Sequence, residues 1–174
     1  MKTITITCEN TGRDYHVAPG TTVGELQQII HPENRYPVMG ALVNNQLQDL
    51  QYVIMAPSRI NYVDMTSLDG YSVNTRSLIF VLYKAVTQLY PRRLLRVEYF
   101  LSNGIYCRIS HPDTKLTAEI IDRLREEMRQ IIAADYPITR ENIPTEKVVQ
   151  LFRKKGLKDK TDLLETRGKL YSSL

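Results

Sequence analysis

The stretch Pro19-Gly20-Thr21-Thr22-Val23-Gly24-Glu25 constrains the fold of this chain more than any other. Thr22 and Glu25 have capping-box spacing: the Thr hydroxyl serves one free backbone N–H of a first helical turn, and the Glu carboxylate reaches back to another. A helix is therefore expected from Val23 to about Ile30, with Val23, Leu26 and Ile29 or Ile30 on one face, and His31-Pro32 stops it. Before Pro19-Gly20 the chain alternates from Thr3 to Cys8, turns at Asn10-Thr11-Gly12 and returns through Tyr15-His16-Val17, the pattern of a β-hairpin.

After the helix come an apolar run from Val38 to Val43, an Asn44-Asn45 turn, a short stretch marked by Leu47 and Leu50, and a strand from Arg59 to about Val63. Hairpin, helix, then further strands within about 60 residues is the order of a β-grasp. Thr5 to Thr7, the Pro19 to Leu26 step and Ala41-Leu42-Val43-Asn44-Asn45-Gln46-Leu47-Gln48-Asp49-Leu50 carry a resemblance to the ubiquitin-like TGS domain of threonyl-tRNA synthetases, certain GTPases and stringent-response enzymes. That resemblance assigns residues 1–63 to a first domain.

The texture changes from about Asp64, and Leu68-Asp69-Gly70 reads as a connector. Ser77 to Tyr90 is apolar on several faces and predicts a mostly buried core helix, ended by Pro91. Leu94 to Phe100 and Ile105 to Ile109 predict two strands around Ser102-Asn103-Gly104, where Asn-Gly favours a tight hairpin turn. Ile120, Ile121, Leu124, Met128, Ile131 and Ile132 form one face of an amphipathic helix stopped by Tyr136-Pro137. Ile138 to Ile143 predicts a short strand, and Pro144-Thr145-Glu146 opens a helix through Phe152 that ends near Gly156.

Thr75 to Leu82, Ser102 to Cys107 and Gly156-Leu157-Lys158-Asp159-Lys160 resemble the second N-terminal domain of threonyl-tRNA synthetase, and more closely its counterpart in bacterial uridine-kinase-like proteins of the phosphoribulokinase/uridine kinase family. The expected fold class is α+β: a β-grasp of residues 1–63, then a second α+β domain of residues 64–174 that stops short of its family's full length. The resemblance implies a non-catalytic regulatory or ligand-recruiting region of a nucleoside kinase. Its partner would be a C-terminal kinase domain in cis, with ATP and Mg needed only there. The alternative is a module that binds tRNA-like RNA or a nucleotide; a degenerate aminoacyl-tRNA editing domain ranks below both.

In the editing synthetases the core helix carries a His-x-x-x-His pair that helps hold a metal, and the matching positions here are Arg76 and Phe80. No metal site and no cofactor are expected in this chain. Cys107 and His111 share ligand-like spacing, but residues four apart on a strand lie about 13 Å from one another. A phosphate loop needs glycine followed by Lys and a hydroxyl residue, and Gly168-Lys169 is followed by Leu170. No catalytic residue is therefore assigned.

The net charge of +4 is unevenly spread, since residues 1–63 carry four basic and five acidic side chains and leave the excess to the remainder. Candidate contacts to phosphate or RNA are Arg76, Arg92, Arg93, Arg96, Lys154 and Lys155. The cations beside helix ends also relieve the C-terminal dipole. Two cysteines, no apolar run of membrane-spanning length and a start that alternates like a strand point to a cytoplasmic protein without a membrane partner.

Overall fold

The computed structural model describes residues 3–91, 93–101, 104–110, 116–139 and 141–173. The chain is α+β and separates into two compact units, Met1–Ile132 and Ala133–Leu174.

The first unit opens with β1 (Ile4–Cys8), β2 (Arg13–Val17), β3 (Thr21–Thr22) and α1 (Val23–Ile30). The chain goes on to β4 (Gly40–Val43), β5 (Gln46–Gln48), β6 (Val53–Ile54) and β7 (Ser58–Val63). Five strands form one sheet in the order β2-β1-β7-β4-β5, in which β1 and β7 run parallel and the other neighbours antiparallel. A parallel pair demands a crossover, and the segment containing α1 supplies it. Val23, Leu26 and Ile30 of α1 are buried with Ile6, Ile60 and Tyr62 of the sheet, which completes the β-grasp.

The capping box forms as the spacing requires. The Glu25 N–H donates to Thr22 Oγ1 at 3.1 Å, and the Thr22 N–H donates to a Glu25 carboxylate oxygen at 2.8 Å. These backbone and side-chain bonds from Thr22 hold the Glu25 carboxyl below its ordinary pKa. His31 takes the left-handed C-cap position with φ 47°. Asn44 and Asn45, with φ 50° and 65°, turn β4 into β5. Asn10 joins the first hairpin to the last strand: its amide nitrogen donates to Tyr62 O at 3.0 Å and its amide oxygen accepts from Tyr62 N at 2.7 Å.

The remainder of the first unit is α2 (Leu68–Leu89), β8 (Leu94–Leu101), β9 (Gly104–Ser110) and α3 (Ala118–Ala133), the last of which reaches the boundary. Here two sequence expectations are corrected. Leu68-Asp69-Gly70 is the first turn of α2, not a connector, because the Ser67 hydroxyl caps it by accepting from Gly70 N at 3.0 Å. Nor is the helix mostly buried: Leu82, Ala85 and Val86 pack with Leu95, Ile109 and Leu124, whereas Leu78 and Phe80 are 43% and 57% exposed. Elements that cover the C-terminal half of α2 do not enclose the preceding turns.

The joint between β7 and α2 is tight. The Asp64 carboxylate accepts from the Thr66 hydroxyl at 2.5 Å, Thr66 N at 2.8 Å and Tyr36 N at 3.2 Å. The Asp64 carbonyl accepts from Ser67 N and Ser67 Oγ, and a Cβ on Gly70 would lie 1.9 Å from that same oxygen.

In the second unit β10 (Asn142–Pro144) pairs antiparallel with β11 (Tyr171–Ser173), and α4 (Thr145–Lys154) and α5 (Lys158–Arg167) lie between them in sequence. The expected strand from Ile138 begins only at Asn142. The helix from Thr145 forms and ends at the Lys155 cap, with Gly156 at φ 70° just beyond. Among the described residues no helix is long and apolar enough to cross a membrane.

Candidate nucleic-acid interface

The β8–β9 hairpin sorts its side chains by a single irregularity. From its tip, Leu101 faces Gly104, Phe100 faces Ile105 and Tyr99 faces Tyr106; the register then slips, so that Val97 faces Cys107, Arg96 faces Arg108 and Leu95 faces Ile109. Glu98 is the extra residue of a β-bulge. A regular ladder would have set Arg96 opposite Ile109, on the side that packs against α2 and α3. The bulge instead brings Leu95 to the apolar cluster and sends Arg96 to the opposite face.

That outer face carries two arginines and two tyrosines. Tyr106 and Arg108 alternate outward along β9, while Ile105, Cys107 and Ile109 are half-buried. Tyr99 and Tyr106 stack with ring centroids 5.0 Å apart and planes inclined by 22°, yet remain 54% and 42% exposed. Arg108 is bonded to Glu98 at 2.9 Å. Arg96 makes no ion pair among the described residues and is exposed.

The remaining sequence candidates are dispersed. Arg76 is exposed on α2, one turn before the exposed Phe80. Arg93 is half-buried with its guanidinium 4.6 Å from the centre of the Tyr90 ring, so its charge is partly spent on a cation–π contact. Arg92 lies outside the described residues. Lys154 and Lys155 are exposed at the C-terminal end of α4, where the helix dipole favours cations. Among the five described candidates, Arg96 stands with a second cation, Arg108, and exposed aromatic rings on one surface. Tyr99, Tyr106 and Arg108 escaped sequence reasoning. A two-residue turn at Asn103-Gly104 would set Tyr99 opposite Arg108; Leu101 instead pairs with Gly104, which sets Tyr99 opposite Tyr106, and neither this register nor the bulge that aligns Arg96 with Arg108 has a signature in the sequence.

On the inner side of the hairpin an apolar groove of about 450 Å³ is lined by Leu82, Cys107, Ile109, Ile121, Leu124 and Met128, among others. Burial pushes the Cys107 thiol above its ordinary pKa, so it is a poor source of thiolate. His111 lies outside the described residues, and no cluster of three metal-ligating side chains occurs among those described. The second unit has a groove of about 750 Å³ between α4, α5 and the short sheet, where Arg153 is tied to Glu165 at 2.5 Å.

No protein-family model matches the chain. It is 26% identical over 156 residues to the threonine–tRNA ligase of Aquifex aeolicus, covering 88% of this chain and 24% of the relative. Against the threonine–tRNA ligase of Paracidovorax citrulli the identity is 26% over 157 residues, covering 90% and 24%. Against that of Syntrophomonas wolfei it is 27% over 146 residues, covering 84% and 23%. The chain thus spans about a quarter of the length of the curated relatives it matches. Through most of its own length, β-grasp included, this chain is similar to threonine–tRNA ligases.

Proposed function

We propose that this chain is a non-catalytic module that binds tRNA-like RNA, with the outer face of the β8–β9 hairpin as its main contact. The similarity to threonine–tRNA ligases over 84% to 90% of the chain carries this reading. It favours RNA over the nucleoside-kinase assignment, because those relatives are named for a tRNA substrate. Residues 1–63 and 64–174 are proposed as separate domains; the separate apolar cores around Ile6 and Val86 support the boundary between them, and residues 133–174 form a compact unit of their own within the second. Beside Arg96 on that face, Arg76, Arg93, Lys154 and Lys155 are proposed as further phosphate contacts, and the module is proposed to work without ATP or metal. If the chain is the front of a nucleoside kinase instead, its phosphoryl-transfer residues lie in another domain.

Titration of a labelled tRNA at several salt concentrations tests the proposal. Neutralising a few phosphates makes log K fall linearly with log salt, with a slope of roughly −0.7 to −0.9 per contact. A slope of about −2 or steeper is expected. Absence of binding at low salt, or binding indifferent to salt, would refute the assignment.

A further inference from the structure

We infer that the outer face of the β8–β9 hairpin is a site for unpaired nucleotides, with Tyr99 and Tyr106 as the stacking platform and Arg96 and Arg108 as the phosphate contacts. This rests on the RNA reading and narrows it from tRNA-like RNA in general to unstacked bases at one surface. Three observations carry it.

The first is the stacked tyrosine pair itself. Both rings stay substantially exposed, so the stack can be extended by a planar ligand. Bases stack on such rings whatever their identity, but only where they are free of a duplex.

The second is charge. Arg96 and Arg108 are direct cross-strand partners, an arrangement of like charges that is unfavourable in an isolated sheet and relieved by an anion between them. Glu98 neutralises Arg108 alone, which leaves the face one positive charge in excess. A phosphate can take the place of the Glu98 carboxylate on Arg108 and reach Arg96 as well.

The third is spacing. Tyr106 and Arg108 are two positions apart on β9, with Cys107 between them, about 7 Å along the strand. That distance is on the scale of one nucleotide of an extended strand, so a base on the tyrosines sets its neighbouring phosphate near the arginines. A duplex keeps its bases stacked on one another and could meet only the arginines.

The test uses the full chain, a fluorescein-labelled oligouridylate, a fully paired RNA of equal length, and the labelled tRNA. The double variant Tyr99→Leu/Tyr106→Leu keeps an apolar, strand-compatible pair without the aromatic faces. It should bind oligouridylate about ten-fold more weakly with little change for the duplex. The double variant Arg96→Gln/Arg108→Gln should weaken both and flatten the salt dependence by one to two units of slope. Circular dichroism melts confirm that both variants fold. If wild type binds tRNA but the leucine variant retains full oligouridylate affinity, or the duplex is preferred, the site is wrong and the broader reading stands. If wild type binds no RNA, both fall. Concentration-dependent dimerisation that the leucine variant abolishes and RNA does not would show the face to be a protein interface and overturn the inference.

Discussion

Replacing Gly70 by alanine should be costly although the position lies in a helix, where alanine is ordinarily the better residue by about 1 kcal/mol. The added Cβ would stand 1.9 Å from the Asp64 carbonyl oxygen and 2.4 Å from its carbon. Ordinary contact begins at 3.4 Å, so backbone must retreat by about 1.5 Å. That carbonyl accepts from Ser67 N at 3.1 Å and Ser67 Oγ at 3.0 Å, and neither bond survives such a shift. Two lost hydrogen bonds at about 1 kcal/mol each and about 1–3 kcal/mol of overpacking outweigh the propensity gain. The net loss is about 3 kcal/mol, or about 6–12 °C in Tm for a chain of this size. Ser67→Ala, which removes only the cap, should cost about 1 kcal/mol. Urea and thermal unfolding followed by circular dichroism measure both. A Gly70→Ala protein as stable as wild type, or a greater loss from Ser67→Ala, would show that α2 is not seated on the Asp64 carbonyl.

Two further outcomes follow from groups at the same end of the β-grasp. The Asp64 carboxyl is held down to about 2 from its ordinary 3.8, first by the Thr66 hydroxyl and then by the Thr66 backbone N–H, with burial opposing them. Its stabilisation is therefore complete above about pH 4 and lost as pH falls through about 2, and acid unfolding of Asp64→Asn should show a shallower loss across that window. The Tyr62 hydroxyl donates to Val23 O at 2.9 Å in the buried core, and burial raises its pKa well above the ordinary tyrosine value. Tyr62→Phe should lower the urea midpoint by the equivalent of about 1 kcal/mol; no change would mean that the Val23 carbonyl finds another donor.

The sequence announced what is decided locally. Thr22 and Glu25 are three residues apart and form their capping box without help from the rest of the chain. Asn44-Asn45 turns because asparagine tolerates the left-handed region. What stayed hidden depends on distant partners. Leu68-Asp69-Gly70 has the composition of a turn and becomes helix because Ser67 caps it against Asp64. Phe80 looks like core by type, yet the elements that bury Ala85 and Val86 do not reach it. Helix α5, with Leu163 exposed and no clear apolar stripe, gave no periodic signal and was not anticipated. The candidate site was half legible: Arg96 could be named as a cation, but its face was set by a bulge at Glu98 that alternation alone does not reveal.

The parallel pairing of β1 with β7 bears on how the protein emerges during synthesis. Ile6 is aligned with Ser58, and Asn10 holds Tyr62 from 52 positions away, so β1 has no parallel neighbour until β7, the central strand of the sheet and the last of it in sequence, has left the ribosome. The first hairpin and α1 can form early, since their contacts are short in sequence, but the buried side of that hairpin must wait through some forty further residues. A nascent chain halted before Ser58 would show its apolar strand to solvent or to a chaperone, and one extended beyond Val63 would close over it.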